Sequence, residues 1–406
     1  MKIGILTSYK EINFGANLQA FSTYRFLLSK GHTPIFIYYY SEEKYNLWGL
    51  KMENEVQPKC HKEFVDEYMP SQTERCNSVD DINNVIIKYG IEAIIVGSDA
   101  VVQHQALLQR IRLSRHKIIN IIKELPDNSF PNPYWGCGIL NNIKMAMMSV
   151  SCQDSEPKYY SKQLKNRMRD SLSRFEYISA RDERTQVMFK EIIGDSSTKI
   201  PITPDPVFAF NQNAGSYVPL KKDILKEYCI PDNYILFSFH KQVIRIEDLL
   251  FLKQEFLERG IECVALPMPF GCNYSHPFNY EIKTPLSPIN WYALIKYSSG
   301  YIGNNMHPIV VALHNSVPCY SIDHWGSKNF WGCKNKRNTS KVLNILKRYC
   351  LESNYYQTNR GYCSINMIDI VNGIVNFPRE AVKNQSNMML SDYNQMMDNI
   401  LEKLCQ

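Results

Sequence analysis

Three side chains able to bind an anion and move protons stand where short apolar runs end: Asp99, Arg181 and His307. A guanidinium such as that of Arg181 pairs with oxyanions through two parallel hydrogen bonds. Histidine gives and takes protons near neutral pH, and an aspartate can orient a hydroxyl or act as a base. The three residues therefore predict a catalytic site that takes an anionic ligand and transfers protons.

Other polar candidates occupy similar positions, and one glycine lets a ligand approach the backbone closely. These candidate substrate-binding residues are Asn13, Gly15, Gln19, Ser98, Ser151, His240, Lys241 and Asn305. Plainer interpretations also exist: Asp99 as a helix cap in an ordinary turn, Arg181 as part of a surface ion network, and His307 as a buried histidine with a partner. Their common position at strand ends favours a site, because ligands of open α/β sheets bind beyond the carboxyl ends of the strands.

The elements that must position these residues alternate between strands and helices, which predicts an α/β fold with parallel sheets. The predicted strands are Lys2–Thr7, Pro34–Tyr40, Ala93–Val96, Met145–Val150, Tyr177–Ala180, Tyr234–Phe239, Glu262–Leu266, Gly300–Gly303 and Val317–Ile322. A loop rich in proline, glycine and asparagine over residues 200–218 separates two such series. We expect two Rossmann-like domains facing a cleft, residues 1–200 and 201–378, and a helical tail at 379–406.

Residues 104–125 combine apolar and basic residues at mostly helical spacing, which predicts an amphipathic helix. Its basic residues are Arg110, Arg112, Arg115, His116, Lys117 and Lys123. One interpretation is a helix that packs on the sheet with a solvated basic face. The other is a basic surface that meets anionic lipid or a lipid-linked diphosphate.

Composition narrows the class of protein. The chain has 406 residues, 21% charged residues and a formal net charge of +6, too mild a basic excess for a strongly basic nucleic-acid-binding protein. No apolar run approaches the roughly 20 residues of a membrane helix, and the first residues lack the pattern of a signal peptide. The 12 cysteines show no zinc-binding spacing. We therefore expect a cytoplasmic protein with reduced thiols.

Six stretches of the chain resemble, in order, motifs of the polysaccharide pyruvyl transferase family. They are NFGANLQAF at 13–21, IVGSD at 95–99, MSVSC at 148–152, ISARDERT at 178–185, PDPVF at 204–208 and YIGNNMHPIVVALHNSVP at 301–318. The first and fourth stretches are the specific ones, and the short GSD and DP pieces are weak singly. The resemblance covers about residues 1–325.

The resemblance implies two Rossmann-like domains arranged as in the B-type glycosyltransferases. It implies phosphoenolpyruvate as donor, a sugar of a capsular or exopolysaccharide unit as acceptor, and a pyruvate ketal and phosphate as products. No metal or cofactor is required by this chemistry. A lipid-linked acceptor would place the protein at the inner face of the cytoplasmic membrane.

The sequence departs from the family pattern at several positions. Ala100 and Val102 replace a glutamine and a tryptophan, and Asn305 replaces an arginine that could hold phosphate or carboxylate. Anion binding is then left to groups such as Arg181 and Lys241. Two alternatives stay open: a nucleotide-sugar glycosyltransferase of the same architecture, and a non-catalytic member of the family.

Overall fold

The computed structural model describes residues 1–49, 55–113, 119–195, 197–323, 340–358 and 361–406. Parallel strands form a sheet in each half of the chain. From edge to edge, the strands of the first sheet are Thr33–Phe36, Lys2–Leu6, Ala93–Asp99, Lys144–Val150 and Phe175–Ala180. Those of the second sheet are Tyr280–Glu281, Glu262–Ala265, Tyr234–Ser238, Gly300–Gly303, Cys319–Asp323 and Tyr355–Gln357. The chain therefore has the predicted α/β fold, with two Rossmann-like domains.

Strand bounds in the two parallel sheets follow buried apolar runs. In the first half they are β1 (Lys2–Leu6), β2 (Thr33–Phe36), β3 (Ala93–Asp99), β6 (Lys144–Val150) and β7 (Phe175–Ala180), with a separate antiparallel pair, β4 (Ile111–Leu113) and β5 (Ile119–Ile121). In the second half they are β8 (Tyr234–Ser238), β9 (Glu262–Ala265), β10 (Tyr280–Glu281), β11 (Gly300–Gly303), β12 (Cys319–Asp323) and β13 (Tyr355–Gln357).

Helices cover the sheets. Those of eight or more residues in the first half are α1 (Phe14–Ser29), α2 (Val56–Tyr68), α3 (Val79–Tyr89), α4 (Lys162–Leu172) and α5 (Glu183–Ile193). The second half has α6 (Lys221–Tyr228), α7 (Ile246–Leu257), α8 (Pro288–Tyr297), α9 (Met306–His314), α10 (Lys341–Arg348), α11 (Met367–Val375) and α12 (Arg379–Cys405).

Helix α3 shows how local sequence sets these bounds. Ser78 caps its first turn by accepting a hydrogen bond from the Asp81 amide, and the Asp81 carboxylate bonds back to Ser78. The helix ends at Gly90, whose φ of 64° is left-handed, a conformation that glycine adopts without a Cβ clash. Apolar residues Ile82, Val85 and Ile86 face the sheet at helical spacing.

The long last helix, α12, packs back on the first half of the chain. It lies against β6 and β7 and buries Met389, Tyr393 and Met396 among others. One hydrophobic cluster joins this helix to α1 of the first half and α9 of the second. The two halves therefore share a continuous core that fixes their facing edges.

The prediction of an amphipathic helix over residues 104–125 is wrong for the residues that the structure describes. Leu107–Arg110 forms one short helical turn, and β4 and β5 then pair as a hairpin, with Ile111 opposite Ile121. The residues between the strands, 114–118, lie outside the described residues. The pattern was misinterpreted because the apolar–polar–apolar segment Ile119–Ile121 fits strand alternation as well as helical spacing.

Candidate functional site

The strand ends of the first sheet and the start of α9 bring four residues together, which we name the central cluster: Asp99, Arg181, Asp205 and His307. Arg181 donates from Nη1 to Asp205 Oδ2 at 2.9 Å and from Nη2 to Asp99 Oδ1 at 3.4 Å. The His307 Nε2 atom lies 3.9 Å from the same Asp205 oxygen. The structure thus places the three predicted catalytic residues in one cluster.

The charged groups of the central cluster change one another's pKa values. Burial alone would raise the pKa of Asp99, but the nearby charges, Arg181 first and then Lys341, together with a hydrogen bond from the Ala100 amide, outweigh it, so that pKa lies below its ordinary value. The Arg181 side chain is 6% exposed. Although its burial disfavours a charge, Asp205 and Asp99 raise its pKa. Arg181 is therefore a fixed cation already compensated by two carboxylates.

His307 carries the proton-transfer capacity of the cluster. Burial lowers its pKa, and the attraction of Asp205 and Asp99 only partly offsets this. Its Nε2 atom is buried and has no hydrogen-bond partner among the described residues. The imidazole is therefore neutral near pH 7, with a nitrogen free to exchange a proton with a ligand.

The first turn of α1 is shaped to receive the His307 ring. A Cβ atom on Gly15 would lie 2.0 Å from His307 Cγ, far inside contact distance, so only glycine allows this packing. Asn13 caps the helix by accepting hydrogen bonds from the Gly15 and Ala16 amides at 3.0 and 3.3 Å. Asn13 and Gly15 thus align the first half of the chain on the histidine of the second.

Three predicted substrate-binding residues lie beneath the site, with no exposed surface: Gln19, Ser98 and Ser151. The Gln19 amide donates to Thr7 Oγ1 at 3.2 Å. Ser98 donates to the Ser149 carbonyl at 2.8 Å. Ser151 donates to the Asp182 carboxylate at 2.8 Å. In this arrangement all three support the loops that carry the central cluster.

A cavity of about 220 Å³, which we name the neutral chamber, opens on one side of His307. Its lining includes Asn13, Phe14, Gly15, Ser238, His240, Met268, Phe270, Trp291, Asn305 and His307. The rings of Phe14 and Trp291 stack with centroids 5.0 Å apart. The described residues give the chamber aromatic and amide walls and contribute no carboxylate to it, a lining that suits an uncharged polar ligand.

Four of the predicted binding residues line this chamber, namely Asn13, Gly15, His240 and Asn305, whereas Lys241 does not. Asn305 donates from Nδ2 to Met268 Sδ at 2.8 Å, and burial lowers the pKa of His240. Lys241, in contrast, is exposed and lines neither of the two cavities beside the cluster. The structure therefore brings His240 and Asn305, but not Lys241, to the site.

A larger cavity of about 740 Å³, the charged chamber, lies on the other side of the cluster. Its charged lining consists of Glu156, Arg181, Asp182, Glu183, Arg184, Asp205, Lys341, Lys347 and Arg348. Met306 lines both chambers, so the central cluster lies between them. Asp205, Lys341 and Arg348 were not among the predicted site residues. For Asp205 the PDPVF stretch was an available signal; for the other two no motif pointed to the site.

Solved structures share this architecture at low sequence identity. The structure is similar to UDP-GlcNAc 2-epimerase from Neisseria meningitidis bound to UDP-GlcNAc, with a TM-score of 0.57, 10% identity, and coverage of 99% of this chain and 100% of that one. It is also similar to UDP-GlcNAc 2-epimerase from Methanocaldococcus jannaschii, with a TM-score of 0.51, 12% identity, and coverage of 96% and 100%. At these identities the likeness establishes the fold alone.

Comparison of the sequence with protein families is more specific than the comparison of structures. A search of curated proteins found no match. The family model described as polysaccharide pyruvyl transferase matches residues 13–326, which include every member of the central cluster. That span is well over half of the chain, so this protein belongs to the polysaccharide pyruvyl transferase family.

Proposed function

We propose that this protein transfers the pyruvyl group of phosphoenolpyruvate to a sugar of a cell-surface polysaccharide unit, forming a pyruvate ketal and releasing phosphate. The observation that carries this proposal is His307. It is partly buried and neutral, its buried Nε2 has no partner among the described residues, and it lines the neutral chamber beside Arg181 and Asp205, which line the charged one. This is the arrangement needed by a group that passes protons between an anionic donor and an uncharged acceptor.

The two chambers match the two substrates in charge. Phosphoenolpyruvate carries a carboxylate and a phosphate, which require cationic groups and N–H donors; the charged chamber holds Arg181 and Lys341 beside the cluster. A sugar ring has an apolar face and polar edges. Phe270, which is 54% exposed, offers the neutral chamber an aromatic surface for such a face, and Asn305 offers an amide for its hydroxyls.

The proposed reaction balances without an oxidant or reductant. C3 of the enol takes a proton while the first sugar hydroxyl loses its proton and adds to C2. The bond between C2 and the phosphate oxygen then breaks, and phosphate leaves with the electron pair. The second hydroxyl adds to C2 and gives its proton to the departing phosphate. Two bonds from C2 to sugar oxygens, one C3–H bond and one O–H bond on phosphate form. The C2=C3 π bond, the bond from C2 to the phosphate oxygen and the two sugar O–H bonds break.

His307 is assigned both proton transfers of the first half-reaction. As a neutral base, its Nε2 takes the proton of the first hydroxyl, and it then delivers that proton to C3. Asp205, 3.9 Å from Nε2, stabilises the imidazolium formed in between. Asp99, held ionised by Arg181, accepts a hydrogen bond from a sugar hydroxyl.

We further propose that the acceptor is carried on a lipid, because the β4–β5 hairpin suits contact with an anionic membrane surface. Exposed large apolar side chains cluster there: Leu107, Leu108, Ile119, Ile121 and Ile122. The sequence from residue 105 to 123 contains five Lys and Arg residues and no Asp or Glu.

Gln109 at the base of the hairpin accepts a hydrogen bond from the amide of Glu156, which lines the charged chamber. No helix among the described residues is long and apolar enough to cross a membrane.

A direct assay tests the proposed function. Incubation with phosphoenolpyruvate and galactoside acceptors should release phosphate and yield the ketal, detected by mass spectrometry. His307→Ala should abolish both products. His276→Ala is the matched control, because this histidine is also partly buried but lies against Phe278, outside both chambers.

Two results would contradict the proposal. One is normal turnover by the His307→Ala variant. The other is stabilisation of the wild-type protein against thermal unfolding by a nucleotide-sugar but not by phosphoenolpyruvate, since a ligand far above its dissociation constant must stabilise the fold. That second result would favour a glycosyltransferase, and stabilisation by neither ligand would favour a non-catalytic member.

A further inference from the structure

We propose that one face of helix α10, formed by Lys341, Asn344 and Arg348, is the phosphate subsite for the anionic donor. This inference rests on the proposed function and names residues that lie beyond the matched family segment, which ends at residue 326. No motif in the sequence assigns these three residues to a site. The argument begins with the charge that the central cluster lacks.

Arg181 does not supply a free positive charge. Its guanidinium is bonded to Asp205 at 2.9 Å and to Asp99 at 3.4 Å, so two carboxylates face one cation. His307 is neutral because burial lowers its pKa. Asn305 has a neutral amide and so adds no positive charge to the site. That amide contacts Met268 in the neutral chamber. A phosphate monoester with its adjacent carboxylate therefore needs cations from another element.

Helix α10 presents cations to the charged chamber. Asn344 follows Lys341 by three positions and Arg348 follows Asn344 by four, a spacing that places all three on one side of a helix. All three line the chamber. Lys341 lies within electrostatic range of Arg181, Asp99 and Asp182. The end of this face that carries Lys341 is therefore directed at the central cluster.

The two cations of this face have no counter-charge at close range. Among the described residues, neither Lys341 nor Arg348 has a carboxylate oxygen within 4 Å, whereas Arg184 in the same chamber lies 2.6 Å from Glu156. Within the described part of the chain, the Arg348 guanidinium has a hydrogen-bond partner only in Met389 Sδ, at 3.9 Å, and Asp392 attracts it from longer range. Burial lowers the pKa of Lys341 and of Arg348. Two partly desolvated cations with no carboxylate at close range raise the free energy of the empty site. An anion bound between them removes this cost.

Chamber size agrees with this assignment. About 740 Å³ is ample for a three-carbon phosphate ester, so the donor can place its phosphate against α10 and its C2–C3 bond towards the cluster. In this orientation Lys341 holds the phosphate that must leave, while His307 acts on C3. Lys341 and Arg348 are then binding residues of the donor and contribute nothing to acceptor binding.

The test compares charge-removing and charge-keeping substitutions. Lys341→Met keeps the length of the side chain and removes the charge; Lys341→Arg keeps the charge. Lys221→Met is the matched control, because Lys221 also opens an eight-residue helix but lies outside both chambers, paired with Asp232. Calorimetric titration with inorganic phosphate and with phosphoenolpyruvate gives the dissociation constants, and steady-state assays give KM for donor and acceptor separately.

Lys341→Met is expected to weaken binding of both probes by about tenfold or more, the usual loss when a charge-assisted hydrogen bond is removed. It should raise KM for the donor and leave KM for the acceptor unchanged. Lys341→Arg should retain most of the affinity, and Arg348→Met should weaken binding of inorganic phosphate.

Failure of the subsite and failure of the proposed function give different results. If wild-type protein binds phosphoenolpyruvate and Lys341→Met binds it equally well, the subsite is overturned and the function stands. If wild-type protein binds neither phosphoenolpyruvate nor inorganic phosphate, both are overturned. If both probes bind with the expected loss in Lys341→Met but no ketal forms with any acceptor, the phosphate subsite stands without the proposed transfer.

Discussion

At the scale of single residues, the contact between Gly15 and His307 gives a structural reason for the NFG stretch that opens one of the two specific motifs. The glycine lies under the imidazole ring, and Asn13 caps the helix that carries it. The residues of this motif contact the histidine from the opposite half of the chain. In the structure this motif therefore positions His307, the residue to which the proposed function assigns proton transfer.

Replacing Gly15 by alanine tests this role. The new methyl carbon would lie 2.0 Å from His307 Cγ and 2.2 Å from Nδ1, so the ring or the helix must shift. Because a displacement of about 1 Å at a catalytic group can cost a hundredfold in rate, we expect kcat to fall by about 100-fold. The measurement is initial-rate phosphate release, with circular dichroism to verify that the variant is folded.

Gly215→Ala is the control for the Gly15 experiment. A methyl group there would have its nearest neighbour, Asn211 Cβ, at 4.0 Å, an ordinary contact. This variant should keep wild-type activity and stability. A folded Gly15→Ala protein with unchanged kcat would show that the position of the His307 ring is not critical.

At the scale of elements, the rule that ligands bind beyond the carboxyl ends of parallel strands identified Asp99, Arg181 and His307 from the sequence. The structure brings the three residues together because Asp99 ends its strand and the other two follow theirs within a few positions. It could not identify Lys341, since α10 begins far along the chain from the end of β12 and belongs to no motif. Nor could sequence show that Gln19 is buried, because burial of a polar side chain depends on its tertiary partners.

The β4–β5 hairpin is the element whose function is easiest to separate from catalysis. Ile119 and Ile121 lie on the same face of β5, as alternate residues of a strand do, and both are exposed. Replacing both by serine should abolish cosedimentation with vesicles that contain phosphatidylglycerol. Activity on a water-soluble acceptor should stay unchanged, because neither residue lines a chamber.

The hairpin experiment has a control of similar character. Leu250 and Phe251 on α7 are also exposed, and their double serine variant should still bind vesicles. Equal binding by the hairpin variant, or no binding by the wild-type protein, would refute the proposed membrane contact. A wild-type dimer that the hairpin substitutions dissociate would instead identify the exposed face as a contact between copies.

At the scale of the whole molecule, the two halves are joined by side chains as well as by the chain itself. The ring centroids of Phe21, in α1, and Phe210, in the loop between the two halves, are 6.0 Å apart. The ring centroids of Phe210 and of Tyr292, in α8, are 4.4 Å apart. Gln57 of α2 donates to the Leu286 carbonyl at 2.8 Å and accepts from its amide at 2.7 Å. A site assembled from both halves requires such a joint, because the His307–Asp205 geometry depends on it.

Helix α12 strengthens this joint, which leads to a prediction about cooperativity. Tyr393 has no exposed surface; its ring packs edge-to-face on Phe26 at 5.6 Å, and its hydroxyl accepts from Asn213 at 3.3 Å. Tyr393→Ala should lower the free energy of unfolding by about 3–5 kcal/mol, as for other large buried aromatic residues. Met388→Ala, at an exposed position of the same helix, should leave it nearly unchanged.

The measurement is urea unfolding followed by tryptophan fluorescence and by far-ultraviolet circular dichroism. Trp135 in the first half and Trp291 in the second are both buried, so fluorescence reports on each. Since the shared cluster links α1, α9 and α12, both probes should give one coincident transition that moves to lower urea in Tyr393→Ala. Two separated transitions in the wild-type protein would mean that the halves unfold independently. The contact between Gly15 and His307 would then have to be maintained by bound substrate rather than by the core.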